Sequence, residues 1–276
     1  MSAAPPGYEE VRARGATAVA LHASAPAVRA ALDVHGGLYA YGASHPTRRE
    51  LRGRAPAYAV PLGDSTVVVR HSWHGGALAA LTRDLFVAPT RAPRELATSE
   101  RLRSLGVRTP EVVAYVRYPA LPGLERADVA TRLVEGGRDL VEVIRALPVD
   151  RDPTSGWVRA TGALLHALAA AGARHPDLNL KNVLLVARPG VPDGFDAWVL
   201  DVDVMQLDDG MADRGRAWAL NERNLARLVR SLEKWRRERA LPVRDVELEA
   251  LRTISRHGAE ARVDVVWRPG HNVGPV

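Results

Sequence analysis

The sequence predicts an α+β chain of bilobal build, with a β-rich N-lobe over residues 1–136 and a helical C-lobe over 137–276. Three observations predict it. Short β-branched runs separated by turn residues crowd the first half. The pair Gly136-Gly137 interrupts them. Beyond that break, long stretches carry apolar residues three and four positions apart, the spacing of helices buried on one side.

The elements follow in order. Val67-Val68-Val69-Arg70 is a strand, preceded by the turn Leu62-Gly63-Asp64-Ser65, with Ala57-Tyr58-Ala59-Val60 as its hairpin partner. Arg94 to Leu105 has helical spacing through Leu96, Leu102 and Leu105, and Gly106 is a natural stop. Val112 to Tyr118 and Val129 to Val134 are two further strands. In the second half, Thr154 or Ser155 caps a helix running through Val158, Leu164, Leu165 and Leu168 to Gly172. Val183 to Ala187 and Ala197 to Leu200 form a hairpin. A long amphipathic helix then sets Leu220, Leu225, Leu228, Val229, Leu232 and Trp235 on one face and Arg223, Arg227, Arg230 and Lys234 on the other. The first 30 or so residues give no clear pattern.

Apolar residues make up 46% of the 276 and charged residues 25%, the balance of a folded protein rather than a disordered one. Cysteine is absent, which excludes disulfides and thiolate metal sites. The start MSAAPPGYEE lacks the basic and apolar regions of a secretory signal. No run approaches the roughly 20 apolar residues of a membrane-spanning helix. The expected location is therefore the cytoplasm. The net charge of +6 points to anionic partners. Nearly all the basic residues are arginines, with Lys181 and Lys234 the only lysines.

The segment His175-Pro176-Asp177-Leu178-Asn179-Leu180-Lys181-Asn182 matches H-x-D-L-x-x-x-N, the catalytic-loop pattern of kinases. The spacing has a chemical reason. Asp177 would accept the proton of the acceptor hydroxyl, and the carboxamide of Asn182 would face a metal on the nucleotide phosphates. Downstream, Val199-Leu200-Asp201-Val202-Asp203 puts a carboxylate after two apolar strand residues, where kinases carry a magnesium-binding Asp. Oxygen donors suit Mg2+. The usual D-F-G is D-V-D here. The fold expected from these motifs is protein-kinase-like, with ATP and Mg2+ as cofactors.

The first half has no lysine for holding phosphate. Arg70, at the end of its strand, stands where V-A-I-K places one, and Glu95 on the following helix is its expected partner. An arginine can hold phosphate bidentately, with a geometry different from that of lysine. Gly53, in Arg52-Gly53-Arg54 before the Ala57 strand, is the candidate for a phosphate loop, although no G-x-G-x-x-G is present.

These residues resemble the lipopolysaccharide-core kinases, which phosphorylate Kdo (3-deoxy-D-manno-octulosonic acid) or heptose. Arg70-His71-Ser72-Trp73-His74-Gly75-Gly76 resembles the family's R-H-Y-x-R-G-G, and Arg83-Asp84-Leu85-Phe86 its K-D-x-Y. Arg94-Glu95 resembles F-R-E. His175 to Asn182 resembles H-A-D-L-N-x-x-N, including Asn179, which most protein kinases replace by Lys. Asp201-Val202-Asp203 resembles D-F-D, and Asn224 to Leu232 resembles N-L-x-R-L-x-R-S-L. The matches run in order from about residue 53 to 235. His74 in place of Arg and Val202 in place of an aromatic residue are departures.

The resemblance implies transfer of the ATP γ-phosphate to a hydroxyl of the inner core. Asp177 would be the base, Asn182 and Asp201 the metal ligands, and Arg70 and Glu95 the phosphate-side pair. The implied partners are Kdo–lipid A or a related core glycolipid and the anionic cytoplasmic face of the inner membrane, with no nucleic acid. Arg48, Arg49, Arg52, Arg54 and the basic residues from Arg223 to Arg237 are candidates for meeting that charge. Two alternatives stay open: another small-molecule or protein kinase of the same fold, and a pseudokinase that binds without turnover, for which the missing lysine and D-V-D speak.

Overall fold

The computed structural model describes residues 4–51, 55–73, 84–148, 150–208 and 212–258. Gly53, His74, Gly75 and Gly76 lie outside the described residues. The chain forms two compact units. The first comprises residues 1–105, 109–135 and 201–204; the second comprises 106–108, 136–200 and 205–276.

The first unit is built on an antiparallel sheet. Its elements are β1 (Tyr8–Ala13), β2 (Ala16–Leu21), α1 (Ala25–His35), α2 (Leu38–Ser44), β3 (Arg49–Leu51), β4 (Ala57–Leu62), β5 (Ser65–His71), β6 (Phe86–Val87), α3 (Ala92–Ser104), β7 (Val112–Leu121) and β8 (Leu124–Arg132). The strand order is β1-β2-β7-β8-β5-β4-β3, with β6 also paired to β8. The β4–β5 hairpin pairs Leu62 with Ser65 and Ala57 with Arg70, as the turn at Gly63-Asp64 predicts. The β1–β2 hairpin was not legible in advance. Its turn residues Arg14 and Gly15 both have positive φ, 46° and 78°, the backbone that two-residue hairpin turns need to match strand twist.

Both faces of this sheet are covered. On one, Val28, Ala31 and Leu32 of α1 and Leu38 of α2 pack on Val60, Leu62, Val67, Val69 and Val113. On the other, Ala92 and Leu96 of α3 pack on Val112, Tyr115 and Val129. Each of the valine and leucine side chains taken out of water contributes about 1.5–3 kcal/mol. The alternation in β5 therefore has a consequence. Val67 and Val69 point into the α1–α2 layer, and Arg70, one residue on, points to the face that carries α3.

The first helix layer is pinned by polar groups as well. Gly37, the N-cap of α2, has no side chain to cap with. The work is done from the sheet. Leu38 N donates to the Tyr118 hydroxyl (3.0 Å), and Tyr39 N donates to Asp128 Oδ2 (2.8 Å). Tyr118 in turn donates to the same carboxylate oxygen (2.6 Å). His71 Nδ1 lies 2.6 Å from the other oxygen, Asp128 Oδ1, and His71 Nε2 lies 3.2 Å from Asp84. Asp84 also pairs with Arg126 at 2.7 Å.

The second unit contains β9 (Arg138–Asp139), α4 (Leu140–Ala146), α5 (Gly156–Ala170), β10 (Ala173–Arg174), β11 (Val183–Ala187), β12 (Phe195–Val199), β13 (Gln206–Leu207), α6 (Arg214–Arg239) and α7 (Asp245–His257). The strands are minor: β12-β11-β9 form one small sheet and β10-β13 another. The helices hold the core. Trp157, Leu165 and Leu168 of α5 are fully buried. Gly162 lets α5 and α7 approach closely, because a Cβ there would lie 2.6 Å from Ile254 Cγ2 and 3.3 Å from Ser255 N. Arg151 grips the fully buried Glu247 with two bonds of 2.6 and 3.0 Å.

Candidate active site

The catalytic-loop motif follows β10 directly and ends in a 3-10 turn, Leu180–Asn182. The loop has no regular ladder, so its backbone polar groups are satisfied by local turns, with Leu178 N donating to the His175 carbonyl (3.2 Å) and Asn182 N to the Asn179 carbonyl (3.0 Å), and by side chains. Asn182 Nδ2 donates to the Asp177 carbonyl (2.9 Å), and Asn179 Nδ2 donates to the same oxygen (3.1 Å). Asn179 Oδ1 accepts from Lys181 N (2.9 Å). With its nitrogen so engaged, Asn182 has its amide oxygen as the end available to a cation.

His175, 1% exposed, extends the scaffold. Its Nε2 lies 2.9 Å from the Leu200 carbonyl, and Leu200 N donates to the Asn182 carbonyl (2.9 Å). Leu200 is thereby held at both its backbone polar groups, immediately before Asp201. Asp201 itself has φ +55°, a left-handed conformation that Asp tolerates better than most residues and that concentrates at functional sites.

A second set of bonds comes from α6. Asn224 is fully buried, and both ends of its amide are bonded: Oδ1 accepts from His175 N (2.9 Å) and Nδ2 donates to Ala173 O (2.9 Å). One turn on, Arg227 donates from Nη2 to Asp177 Oδ1 (2.6 Å) and from Nε to the Pro176 carbonyl (3.2 Å). The amphipathic pattern marks α6 from Leu220 to Trp235, inside its Arg214–Arg239 extent, and puts Arg227 on the face of Arg223, Arg230 and Lys234. Asn224 stands out in the sequence as a polar residue on the apolar face between Leu220 and Leu228.

Lys181 does not face its own loop. Its ammonium pairs with Asp139 at 2.6 Å and lies 5.8 Å from the ring centre of Trp235. Asp139 also caps α4 through Glu142 N, with Glu142 bonding back.

In the first unit, Arg70 and Glu95 form an ion pair through Nη2 and Oε1. Glu95 is nearly fully buried, and Arg70 keeps about a third of its side chain exposed, at 30%. Burial opposes the charge on Arg70, but Glu95, Asp201 and Asp203 outweigh it and hold the guanidinium above its ordinary pKa. Asp203 sits in the 3-10 turn Val202–Val204 that packs on α3, and it meets Arg91 at 3.7 Å. The structure thus brings Arg70, Glu95, Asp201 and Asp203 into one electrostatic group, and Asp177, Asn179 and Asn182 into another.

The family model described as "Lipopolysaccharide kinase (Kdo/WaaP) family" matches residues 44–250. The chain belongs to this family. Relatives agree. It is 33% identical over 229 residues, 79% of each chain, to a 3-deoxy-D-manno-octulosonic acid kinase of Xylella fastidiosa strain M12. It is 27% identical over 206 residues, 73% of this chain and 79% of the relative, to the enzyme of that name from Vibrio vulnificus strain YJ016. A solved structure of WaaP in complex with acyl carrier protein aligns over 74% of this chain and 88% of its own, with 19% identity and a TM-score of 0.44. The lipopolysaccharide kinases are ATP-dependent phosphotransferases, and the α+β class expected from the sequence is that of this chain, with the strands of its main sheet in the first part and most of its helical residues in the second. The stretch 44–250 starts at the end of α2, so β1, β2 and α1 precede the matched region.

Proposed function

We propose that the chain phosphorylates a hydroxyl of the lipopolysaccharide inner core, on Kdo or on heptose, using ATP and Mg2+. The observation that carries this is the self-closed loop in which Asn179 and Asn182 both hold the Asp177 carbonyl. The relatives named as Kdo kinases support Kdo as the first acceptor to test.

Asp177 takes the proton of the acceptor hydroxyl as its oxygen attacks the γ-phosphorus. The bond from that phosphorus to the bridging oxygen breaks and ADP leaves. Arg70, oriented by Glu95, holds phosphate oxygens. The carboxylate of Asp201 and the amide oxygen of Asn182 are hard oxygen donors that suit Mg2+, which would neutralise charge on the phosphates when bound. The three residues that chemistry needs argue against the pseudokinase reading. The ion pair of Arg70 with the buried Glu95 answers the missing lysine.

The acceptor implies a place of work. A core glycolipid is polyanionic and its lipid tail stays in a membrane, so we infer a peripheral location on the cytoplasmic face. No helix among the described residues is long and apolar enough to cross a membrane. The net charge of +6 suits such a surface.

The test is an acceptor panel. Purified chain, ATP and Mg2+ are offered Kdo–lipid A, its heptosylated form and lipid A alone, and the products are read by mass spectrometry. Phosphorylation of the Kdo-bearing acceptor and not of lipid A supports the reading. Phosphate on lipid A alone, or on none of the three, overturns it.

A further inference from the structure

We propose that Arg227 is a positioning residue of the phosphoryl transfer, supplying from α6 the cation that the catalytic loop itself does not supply. The inference rests on the reading of Asp177 as the proton acceptor.

The loop has two places for a cation, and neither serves Asp177. Position 179 is Asn, and both ends of its amide are spent inside the loop, on the Asp177 carbonyl and on Lys181 N. Lys181 is directed at Asp139 and Trp235. The guanidinium set against the Asp177 carboxylate comes instead from a helix 50 residues further along the chain.

The contact is not that of a solvated arginine. Arg227 bonds two consecutive loop residues, Pro176 through its carbonyl and Asp177 through its carboxylate. Asn224, one helical turn earlier, bonds Ala173 and His175. Residues at i and i+3 share a helix face, so one edge of α6 fixes both the path of the loop and the rotamer of its carboxylate. A charge-assisted bond of 2.6 Å is short and directional. It turns Asp177 about its side-chain bonds and keeps it there while an acceptor arrives.

During transfer the hydroxyl oxygen bonds to the γ-phosphorus, its proton passes to the Asp177 carboxylate, and ADP departs with the electron pair of the broken bond. A carboxylate free to rotate spends less time aligned with that proton. Misplacement of about 1 Å at a reacting group costs on the order of 10²-fold in rate.

The experiment uses the full chain and the variants Arg227→Ala, Arg227→Gln and Arg227→Lys. Initial rates are measured with Kdo–lipid A, and ATP hydrolysis to water is followed in parallel. Thermal unfolding and the KM for ATP report the fold and nucleotide binding. The expected result is kcat lowered about 10²-fold in Arg227→Ala and Arg227→Gln, a smaller loss in Arg227→Lys, KM for ATP unchanged, and partial recovery of Arg227→Ala by added guanidinium ion. Unchanged kcat in Arg227→Ala overturns the proposal. So does a loss that tracks a fall in melting temperature and is not rescued by guanidinium. If the wild-type chain transfers nothing to the glycolipid, the acceptor reading fails on its own. Arg227 is then judged by the hydrolysis rates, where the same order of variants supports it and equal rates reject it.

Discussion

His71 and Asp128 meet at 2.6 Å on neighbouring strands, β5 and β8, and together they hold a helix in place. The Asp128 carboxylate takes the N–H of Tyr39 at the start of α2, and His71 balances its charge. Asp84 sits on the other ring nitrogen.

This arrangement makes stability depend on pH. Burial alone would lower the His71 pKa, but the bonds to Asp128 and Asp84 outweigh it and leave it raised above the ordinary value. The folded form therefore favours the charged ring. Its contribution is fully present below the unfolded value of about 6.5 and is lost as pH rises through the folded value. Thermal unfolding at about pH 6 and about pH 9 should show a decline on the alkaline side. His71→Gln should be less stable at the acid end by about 1.5–3 kcal/mol, the worth of a hydrogen bond to a charged group, and should lack that part of the decline.

Arg70 and Glu95 are the next pair. Arg70→Ala should lower kcat/KM for ATP by roughly 10²–10³-fold, the scale for removing one stabilising donor from a transfer site. Glu95→Gln should keep the fold and lose less, since Asp201 and Asp203 still attract the guanidinium. A kinetic comparison with ATP as the varied substrate checks both.

Asn224→Ala leaves His175 N and Ala173 O without their buried partner. Each orphaned group costs about 1–3 kcal/mol. Asn224→Asp keeps the acceptor for His175 N but sets a buried carboxylate against the Ala173 carbonyl, so it should be at least as destabilising as Asn224→Ala at neutral pH. Urea unfolding of the three chains gives the order.

Gly162→Val should destabilise by about 1–3 kcal/mol through overpacking of α5 on α7, read as a lower urea midpoint. Ile254→Ala in the same chain should recover part of the loss, because Ile254 Cγ2 is the atom the new side chain meets first.

The legible parts of this chain were local ones. His175 to Asn182 is a contiguous stretch, and its motif is read from spacing within eight residues. The β4–β5 hairpin and the Ala92–Ser104 helix each follow a periodicity, and their ends fall within two residues of expectation; α6 follows one too but runs from Arg214 to Arg239, beyond the Leu220 to Trp235 stretch the pattern marks. The pairing of Arg70 with Glu95 follows from the place of Arg70 at the end of a strand, and the two meet in the structure. The rest depended on distant partners. In β1 and β2 small residues such as Ala16, Ala18 and Ala20 form the buried face, and they give weak alternation. The cap on α2 comes from Tyr118 and Asp128, some 80 and 89 residues away. Arg227 has the same composition and spacing as its solvated neighbours Arg223 and Arg230, and its partner Asp177 is 50 residues earlier.

The most direct test of the account is Asp177→Asn assayed for transfer of labelled γ-phosphate to Kdo–lipid A, with ATP binding and thermal unfolding measured on the same preparation. The account predicts an intact fold, retained nucleotide binding and transfer reduced at least about 10²-fold, the range of a general base. Transfer at the parental rate in a folded Asp177→Asn chain would contradict it.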